Sequence, residues 1–371
     1  MRIAFIGRHR DGEILSGPEK VARRLFEQFQ LRPGVHASFF TYFFDGKAAS
    51  AAQKIAGSMQ HGDAAVCTLG LARFPSALSA FQPDVLLVAT FERFVIVPVL
   101  WARMRGIPVL YIVHGIVRRE NALWRMNAPW SMRVKDALAE KLVFTAASQC
   151  VCVSPHIRVL AEREYALDVH TPVIPNGVDA AFFDTLQSDT SRSNGGVVLR
   201  IAFAGDVSRV EKGWKFFRDA LAMMRHPAEV SLLGPSPRET ERPPVPVQVS
   251  DLLPSAALAR WLAAHDCFVC ASSYESFSIA TAEAMAAGLP VIVTEESGIS
   301  SMINDHGNGL LVRYGDVQGL AAALDMLAAD PATRAALGRA GRMSVSHLAW
   351  SDIADKYLEE CATLTQQGRR A

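Results

Sequence analysis

Residues 271–294, ASSYESFSIATAEAMAAGLPVIVT, decide the fold class. This stretch follows the apolar run 267–270, contains a small-residue segment with helical periodicity, and ends in a second apolar run at 291–293. A buried strand, a helix and another buried strand in this order indicate a βαβ unit with parallel strands. We therefore predict an α/β fold that binds its ligands at the carboxyl ends of the strands.

The same alternation extends along both halves of the chain. It predicts two doubly wound, Rossmann-like domains that face each other across a cleft. The predicted strands are 3–6, 38–42, 85–88, 109–113, 150–153, 173–174, 199–204, 229–233, 245–249, 267–270, 291–293 and 310–312.

A polar stretch rich in Ser, Thr and Gly at 184–196 has the composition of a linker. It separates a predicted N-terminal domain, 1–183, from a C-terminal domain, 197–349. The helical pattern that follows, 350–371, is expected to pack back toward the N-terminal domain.

The composition is that of an ordinary globular protein, with 371 residues, 50% hydrophobic residues and a net charge of +1. Residues 1–180 contain 21 Lys and Arg against 15 acidic residues, whereas residues 181–371 contain 17 against 22. This basic surplus is too dilute for a nucleic-acid groove, so no nucleic-acid partner is expected, but it suits an anionic small ligand or an anionic membrane face.

Two features of the sequence bear on location. The apolar run at the N-terminus is too short for a secretory signal, and the apolar stretch 85–100 is interrupted by Glu92, Arg93 and Pro98. We expect a cytoplasmic protein, with peripheral contact at the inner face of the cytoplasmic membrane left open.

The cysteine pairs Cys150-x-Cys152 and Cys267-x-x-Cys270 lie in β-like apolar runs. Residues three apart on a strand point to opposite faces, so Cys267 and Cys270 are not expected to chelate one ion. We interpret these cysteines as small buried hydrophobic residues, and we predict neither a metal site nor a cofactor.

Two glutamates in the deciding stretch, Glu275 and Glu283, are eight residues apart. If the helix begins near Ser276, Glu275 lies in the loop at its positive end and Glu283 about two turns along. The backbone N–H groups of Ser276, Phe277 and Ser278 would be unpaired there and suit a phosphate or an oxygen-rich sugar. Carboxylates can accept hydrogen bonds from sugar hydroxyls, and free amides can donate to a phosphate. Together they predict a sugar-nucleotide site.

This segment resembles the retaining glycosyltransferases of the GT-B fold, in particular glycosyltransferase family 4. The family motif E-G/S-F-G/S…E-A-M-A-x-G-x-P-V stands here at 275–291. By this resemblance Glu275 holds hydroxyls of the donor sugar, Glu283 binds the ribose hydroxyls, and Phe277 and Ser278 offer backbone amides. Ser278 replaces the commoner glycine but keeps its amide.

A second element of the resemblance is the strand, loop and helix at 200–217, RIAFAGDVSRVEKGWKFF. Lys212 matches the family's Lys-Gly, and we expect it to stabilise the charge of the departing nucleoside diphosphate. The family usually has Gly-Arg where this sequence has Gly205-Asp206. Of the two cations that usually bind the diphosphate, the arginine is therefore missing at this position. Arg209, three residues before Lys212, is the expected substitute.

Two further positions resemble family segments in the N-terminal domain. Gly17 remains from a Gly-Gly turn that approaches the diphosphate, although the following Pro18 has no N–H to offer. His114 ends a predicted strand, where the family has a histidine near the donor sugar, and a neutral imidazole there could hydrogen-bond a hydroxyl.

The resemblance implies a retaining, metal-independent hexosyltransferase, with an acceptor-binding N-terminal and a donor-binding C-terminal domain. The expected donor is a UDP-sugar, then a GDP-sugar, and the expected acceptor is a cell-surface glycan, such as a lipopolysaccharide, or a lipid-linked acceptor. The sequence contains no Asp-x-Asp motif for a metal-bound diphosphate. Two alternatives stay open: a non-catalytic sugar-nucleotide-binding subunit of a polysaccharide assembly complex, and a sugar-nucleotide epimerase.

The segment 117–142 combines six Lys and Arg with Trp124, Met126, Trp130 and Met132. One interpretation is docking on an anionic membrane surface, where lipid-linked acceptors reside. The other is an amphipathic helix packed on its own domain.

Overall fold

The computed structural model of the chain describes residues 1–10, 12, 15–42, 59–61, 64–123, 128–185 and 198–368. The chain forms two compact units. The first comprises residues 1–153, 157–176 and 350–371, and the second comprises 154–156 and 177–349.

The first unit contains a seven-stranded sheet with the spatial order β3-β4-β2-β1-β5-β6-β7. All neighbouring strands are parallel except β3, which is antiparallel to β4. Its strands are β1 (Arg2–Ile6), β2 (His36–Tyr42), β3 (Met59–His61), β4 (Ala64–Leu69), β5 (Val85–Val88), β6 (Val109–Val113) and β7 (Gln149–Cys152).

Apolar residues on both faces explain why β1, β5 and β6 form the centre of this sheet. Every residue of β5 and β6 is buried, as is all of β1 after Arg2. A parallel strand covered by helices on both sides has this pattern. Phe5 of β1 lies against Phe26, Phe29 and Phe39, at ring-centroid distances of 5.4, 5.1 and 5.9 Å, so aromatic packing joins the sheet to the helix that follows β1.

That helix, α1 (Gly17–Gln30), also packs against the last helix of the chain, α13 (Trp350–Gly368), which lies in the first unit. Arg32, just after α1, donates to the Asp355 carboxylate at 2.8 Å and to the Ser351 carbonyl at 3.0 Å. The expected return of the C-terminal helix to the first domain is therefore present. The other α-helices of this unit are α2 (Phe74–Phe81), α3 (Ile96–Met104), α4 (Val117–Leu123), α5 (Trp130–Ala146) and, from its third residue onward, α6 (Pro155–Tyr165).

The second unit has a six-stranded, fully parallel sheet with the order β10-β9-β8-β11-β12-β13. Its strands are β8 (Leu199–Ala204), β9 (Ala228–Leu233), β10 (Val247–Ser250), β11 (Cys267–Cys270), β12 (Val291–Thr294) and β13 (Leu310–Val312). Its α-helices are α7 (Ala180–Asp184), α8 (Trp214–Leu221), α9 (Ser255–Ala263), α10 (Ile279–Ala286), α11 (Val317–Ala329) and α12 (Pro331–Ser344). The α/β fold class with two doubly wound domains is confirmed.

The structure differs from the sequence-based expectations in three places. The pair β3 and β4 was not predicted, and the expected strand at 173–174 is a single bridge between Val173 and Cys152. The first unit ends at Asn176, before α7, whereas the predicted boundary lies at 183. Most of the predicted linker, residues 186–196, lies outside the described residues.

The cysteines of the two short motifs are buried and carry free thiols, as interpreted from the sequence. Burial raises the pKa of the Cys150 and Cys152 thiols to about 12. Among the described residues, no group of three or more His, Cys, Asp or Glu side chains could hold a metal ion. The helices of the described ranges include none with the length and apolar character needed to cross a membrane.

One buried carboxylate joins α11 to the loop before β9. Asp325 accepts the Arg225 N–H at 2.9 Å and the His226 N–H at 3.1 Å, and it lies 3.0 Å from both Arg225 Nε and His226 Nδ1. Burial raises the pKa of Asp325, but these hydrogen bonds lower it more, to about 2. The carboxylate form is therefore favoured in the folded chain.

We expect the free energy of unfolding to fall as the pH drops from about 4 toward 2. The folded pKa of Asp325 lies below its usual value of 3.8, so its stabilisation is present above that value and is lost as the pH falls through the folded pKa. At pH 7, Asp325→Asn should cost about 2 kcal/mol in urea denaturation. Glu239→Gln, at a side chain that is 83% exposed, should change stability by less than about 0.5 kcal/mol. Equal stability of wild type and Asp325→Asn would contradict this account.

Candidate active site

The candidate site of the second unit lies where its strand order reverses. From β8 the chain moves to β9 and β10 on one side, and then returns to place β11 on the other side of β8. In open parallel sheets, ligands bind outside the carboxyl ends of the strands at such a switch point. The loop after β8 carries Lys212, and the loop after β11 carries Glu275.

These two side chains form an ion pair across the switch point. Lys212 Nζ lies 2.5 Å from Glu275 Oε2, and the side chains are 21% and 23% exposed. Burial lowers the pKa of Lys212, but the charge and hydrogen bond of Glu275 raise it by more, and the net shift is upward. Lys212 is therefore a fixed cation, and both members of the pair remain within reach of a ligand.

Tight backbone packing holds the Lys212 loop in place. Gly213 has a φ of +69°, and a Cβ atom there would lie 1.8 Å from the Ala271 carbonyl oxygen. The Ser273 N–H also donates to the Glu211 carbonyl at 2.8 Å. Only glycine permits both this conformation and this close approach, so the β8 loop lies directly against the end of β11.

Helix α10 begins at Ile279, three residues later than the sequence-based estimate of Ser276. The cause is Ser278, whose φ of +79° is left-handed and non-helical. Within the described part of the chain, the backbone N–H groups of Ser276, Phe277 and Ser278 donate to no acceptor, so this loop presents the unpaired amides that the sequence predicted. The left-handed backbone at Ser278 is unfavourable for a residue with a Cβ.

The other residues predicted for this site lie in or beside the loop before α10, in α10 itself and in the loop after β8. The Phe277 side chain is buried, and Ser278 Oγ lies 2.7 Å from Thr281 Oγ1. Glu283 is the fifth residue of α10, about one turn along rather than two, and it is buried. Gly205 lies beside Lys212, because a Cβ there would be 3.5 Å from Lys212 Cδ.

The first unit has its own switch point, between β1 and β5. A cavity of about 160 Å³ lies there, and its lining includes Arg8, Ser16, Thr90, Glu92, His114 and Glu120. His114 Nε2 lies 2.9 Å from the Ala89 carbonyl. Burial lowers the pKa of His114 to about 4, so the imidazole is neutral at pH 7. In that state Nε2 donates to the carbonyl, and Nδ1 is the hydrogen-bond acceptor.

Two family models match the chain. "Glycosyltransferase Family 4" matches residues 15–182, and "Glycosyl transferases group 1" matches residues 199–330. The chain belongs to glycosyltransferase family 4, of the GT-B fold.

The chain is similar in sequence to several named proteins and similar in fold to several solved structures. A D-inositol 3-phosphate glycosyltransferase of Arthrobacter sp. (strain FB24) is 28% identical over 286 residues, which are 70% of this chain and 65% of the relative. The chain thus spans just under two thirds of that relative's length. Sucrose-phosphate synthase from Thermosynechococcus elongatus shares the fold with a TM-score of 0.79, 19% identity and 99% coverage of both chains. Anabaena HepE in complex with UDP-glucose has a TM-score of 0.73 at 17% identity, with 98% of this chain and 100% of HepE covered.

The second cation expected beside the diphosphate, Arg209, is not a free charge. Arg209 Nε forms a close ion pair with the carboxylate of Glu211, which is buried. Asp206 accepts hydrogen bonds from the N–H and Oγ of Ser208, at 3.0 and 2.6 Å, and so shapes the loop. Arg209 therefore lies near Lys212 but is already neutralised by a carboxylate two residues away.

Gly17, whose approach to the diphosphate stays a prediction, lies at the start of α1. Gly17 is the exposed first residue of α1, behind a capping box in which Glu19 accepts the Ser16 N–H at 3.0 Å. Gly7, directly after β1, is the crowded position, since a Cβ there would lie 2.7 Å from Thr90 Oγ1. Gly7 directly follows the apolar run of residues 3–6, and the sequence analysis did not single it out.

Glu140 is a buried residue near the first switch point that the sequence analysis did not single out. It accepts the Val117 N–H at the start of α4 at 2.7 Å and a close hydrogen bond from the Tyr165 hydroxyl. Burial raises its pKa to about 7. Glu140 fixes the chain three residues after His114, and no local pattern distinguishes it from a solvated helical glutamate.

The segment 117–142 forms two helices, α4 and the greater part of α5. Trp124 and Met126 lie outside the described residues, whereas Trp130 is 76% exposed and Met132 is partly buried. One face of α5 is buried through Asp136, Ala139, Glu140 and Val143, and the other exposes Trp130, Lys135, Leu138, Lys141 and Leu142. The helix is thus packed on its own unit and also carries an exposed apolar and basic face.

We expect Gly213→Ala to destabilise the second unit by about 3 kcal/mol or more, because it combines left-handed strain with a clash against the Ala271 carbonyl. The matched control is Gly315→Ala, where φ is +90° but no atom lies within 4 Å of the added Cβ. This control should cost only about 1–2 kcal/mol of backbone strain. Urea denaturation measures both values. Equal losses would show that crowding at Gly213 does not hold the Lys212 loop.

Proposed function

We propose that the chain is a retaining, metal-independent glycosyltransferase that moves a sugar from a nucleotide-sugar donor to a cell-surface glycan or lipid-linked acceptor. The observation that carries this proposal is the convergence of Lys212, Glu275 and the three unpaired amides of 276–278 at one switch point. A cation and free amides suit a diphosphate, and a carboxylate suits sugar hydroxyls.

Each group has a role in this scheme. Lys212 and the N-terminal end of α10 stabilise the negative charge that develops on the departing nucleoside diphosphate. Glu275 accepts hydrogen bonds from hydroxyls of the donor sugar and orients it. Glu283, farther along α10, holds the ribose hydroxyls. The second unit is therefore the donor-binding domain, and no step requires a metal ion.

A UDP-sugar is the favoured donor and a GDP-sugar the next. Support for uridine comes from the HepE structure, which is a complex with UDP-glucose. The acceptor is assigned to the first unit, at the cavity beside His114. The name of the Arthrobacter relative specifies an inositol phosphate acceptor, which supports attack by a hydroxyl of a polyol.

One observation favours the second candidate, a sugar-nucleotide-binding subunit without turnover. Arg209 is paired with Glu211, so the diphosphate would meet one available cation instead of two. Such a subunit would bind the donor and leave it intact. Binding and turnover of the same donor therefore separate the two candidates.

We also propose that the exposed face of α5 contacts an anionic membrane surface, where lipid-linked acceptors reside. Trp130, Leu138 and Leu142 are 76%, 59% and 46% exposed. Lys135 and Lys141 lie on the same exposed side. Aromatic and aliphatic side chains beside lysines favour the interface of an anionic bilayer.

We expect one class of nucleotide sugar to raise the melting temperature of the chain in a panel of UDP-, GDP- and ADP-sugars. A ligand that binds only the folded state adds about 2.7 kcal/mol at 100 times its dissociation constant. Glu283→Ala should abolish the shift, because it removes the ribose contact. Release of nucleoside diphosphate from that donor should be lost in Lys212→Ala and in Glu275→Ala, with folding unchanged by circular dichroism.

Glu239→Gln serves as the control, since its side chain is 83% exposed, and it should keep both the shift and the turnover. Binding without turnover would favour the non-catalytic subunit. Full turnover in Lys212→Ala or in Glu275→Ala would disprove the site assignment.

For the membrane face, the variant Trp130→Ala/Leu138→Gln should lose at least about tenfold in affinity for vesicles that contain phosphatidylserine. Co-sedimentation with these vesicles and with neutral phosphatidylcholine vesicles measures the effect. Leu31→Gln is the matched control, because Leu31 of the first unit is 70% exposed and lies outside α5. Equal binding by all three proteins would exclude this face.

A further inference from the structure

The ion pair between Lys212 and Glu275 places a carboxylate beside the cation that the leaving group needs. Any phosphate that binds Lys212 must therefore also bind next to Glu275. We propose that Glu275 makes the site discriminate against free nucleoside diphosphate, the product, in favour of the nucleotide sugar, the donor. This inference rests on the proposed function.

The two ligands differ in charge and in hydrogen-bonding capacity at the relevant phosphate. The terminal phosphate of a free nucleoside diphosphate has a second ionisation near pH 6, as phosphate monoesters do, and so carries about one additional negative charge at pH 8. In the donor, that oxygen is esterified to a sugar whose hydroxyls can donate to a carboxylate. Glu275 therefore repels the product and accepts hydrogen bonds from the donor.

The backbone keeps the Glu275 carboxylate close to Lys212. The Gly298 N–H donates to the Glu275 carbonyl at 2.8 Å, and Glu275 forms a bridge with Ser297. A Cβ at Gly298 would lie 2.0 Å from the Ser276 carbonyl, so this loop is packed without spare room. A rotation of the side chain can open the ion pair, but the carboxylate cannot move far from a phosphate bound at Lys212.

The other charges near Lys212 do not offset this repulsion. Arg209 contributes a positive charge, but that charge is paired with the buried carboxylate of Glu211. Glu275 is the carboxylate in direct contact with the Lys212 ammonium. Replacing it with a neutral side chain leaves Lys212 without its counterion, and a bound phosphate then restores the lost pairing.

The test is equilibrium binding of UDP, GDP, UDP-glucose and GDP-mannose at pH 8 by isothermal titration calorimetry, with wild type and Glu275→Gln. One neighbouring charge shifts the affinity for a proton by tenfold or more, so we expect Glu275→Gln to bind the nucleoside diphosphate about tenfold tighter. Binding of the corresponding nucleotide sugar should stay equal or weaken.

Three further variants fix the interpretation. Glu275→Asp keeps the charge and should keep the wild-type preference. Lys212→Ala/Glu275→Gln should lose the gain, since the cation is absent. Glu229→Gln removes a carboxylate from the second residue of β9. This residue lies near the amino end of its strand, away from the carboxyl ends where the candidate site lies, so the change should leave all affinities unchanged.

Each outcome has a distinct meaning. If folded Glu275→Gln binds the nucleoside diphosphate no tighter than wild type does, discrimination by Glu275 is disproved and the proposed function stands. If Glu229→Gln gives the same gain, the effect is one of net charge, and the inference is also disproved. If wild type binds neither nucleotide nor nucleotide sugar, the proposed function fails and this inference fails with it.

Discussion

The arrangement of the candidate site depends on one ion pair between two strand-end loops. Lys212 and Glu275 are 63 residues apart in the chain, yet parallel pairing of β8 with β11, with Phe203 opposite Val269, brings their loops together. Close packing at Gly213 then removes the remaining freedom of the β8 loop. The pair therefore results from sheet topology and backbone crowding, and the two side chains contribute only the last contact.

The central part of each sheet could be predicted from the sequence because its strands are buried on both faces. Such strands are short apolar runs, and the bounds of the central strands β5, β6, β8 and β11 agree with the expected ones. Those of β13, at one edge of the second sheet, agree as well. The pair β3 and β4 lies at the edge of the first sheet. β3 is only three residues long and mostly polar, so it has no comparable run, and the apolar run of β4, AAVCTL, was not singled out. Residues 173–174 are apolar but pair with β7 only through a single bridge, between Val173 and Cys152.

The residue types of the site were predictable, whereas their pairings were not. Glu275, Lys212 and the three amides follow from the motif and its position after a strand. The later start of α10 depends on the left-handed backbone of Ser278, which no residue pattern indicated. Pairing of Arg209 with Glu211, and burial of Glu140 under α4, depend on side-chain positions in three dimensions. Local sequence carries no information on such contacts.

The strand-end cations of the two units share a property that follows from burial. Arg8 is paired with Glu19 at 3.1 Å, Arg209 with Glu211, and Lys212 with Glu275. An uncompensated charge in a partly buried position is costly, so each cation needs a counterion when no substrate is bound. A ligand that offers only an anion must displace a carboxylate and leave that carboxylate unsatisfied. A ligand that offers both an anion and hydroxyl groups satisfies both partners, and a nucleotide sugar combines these two features in one molecule.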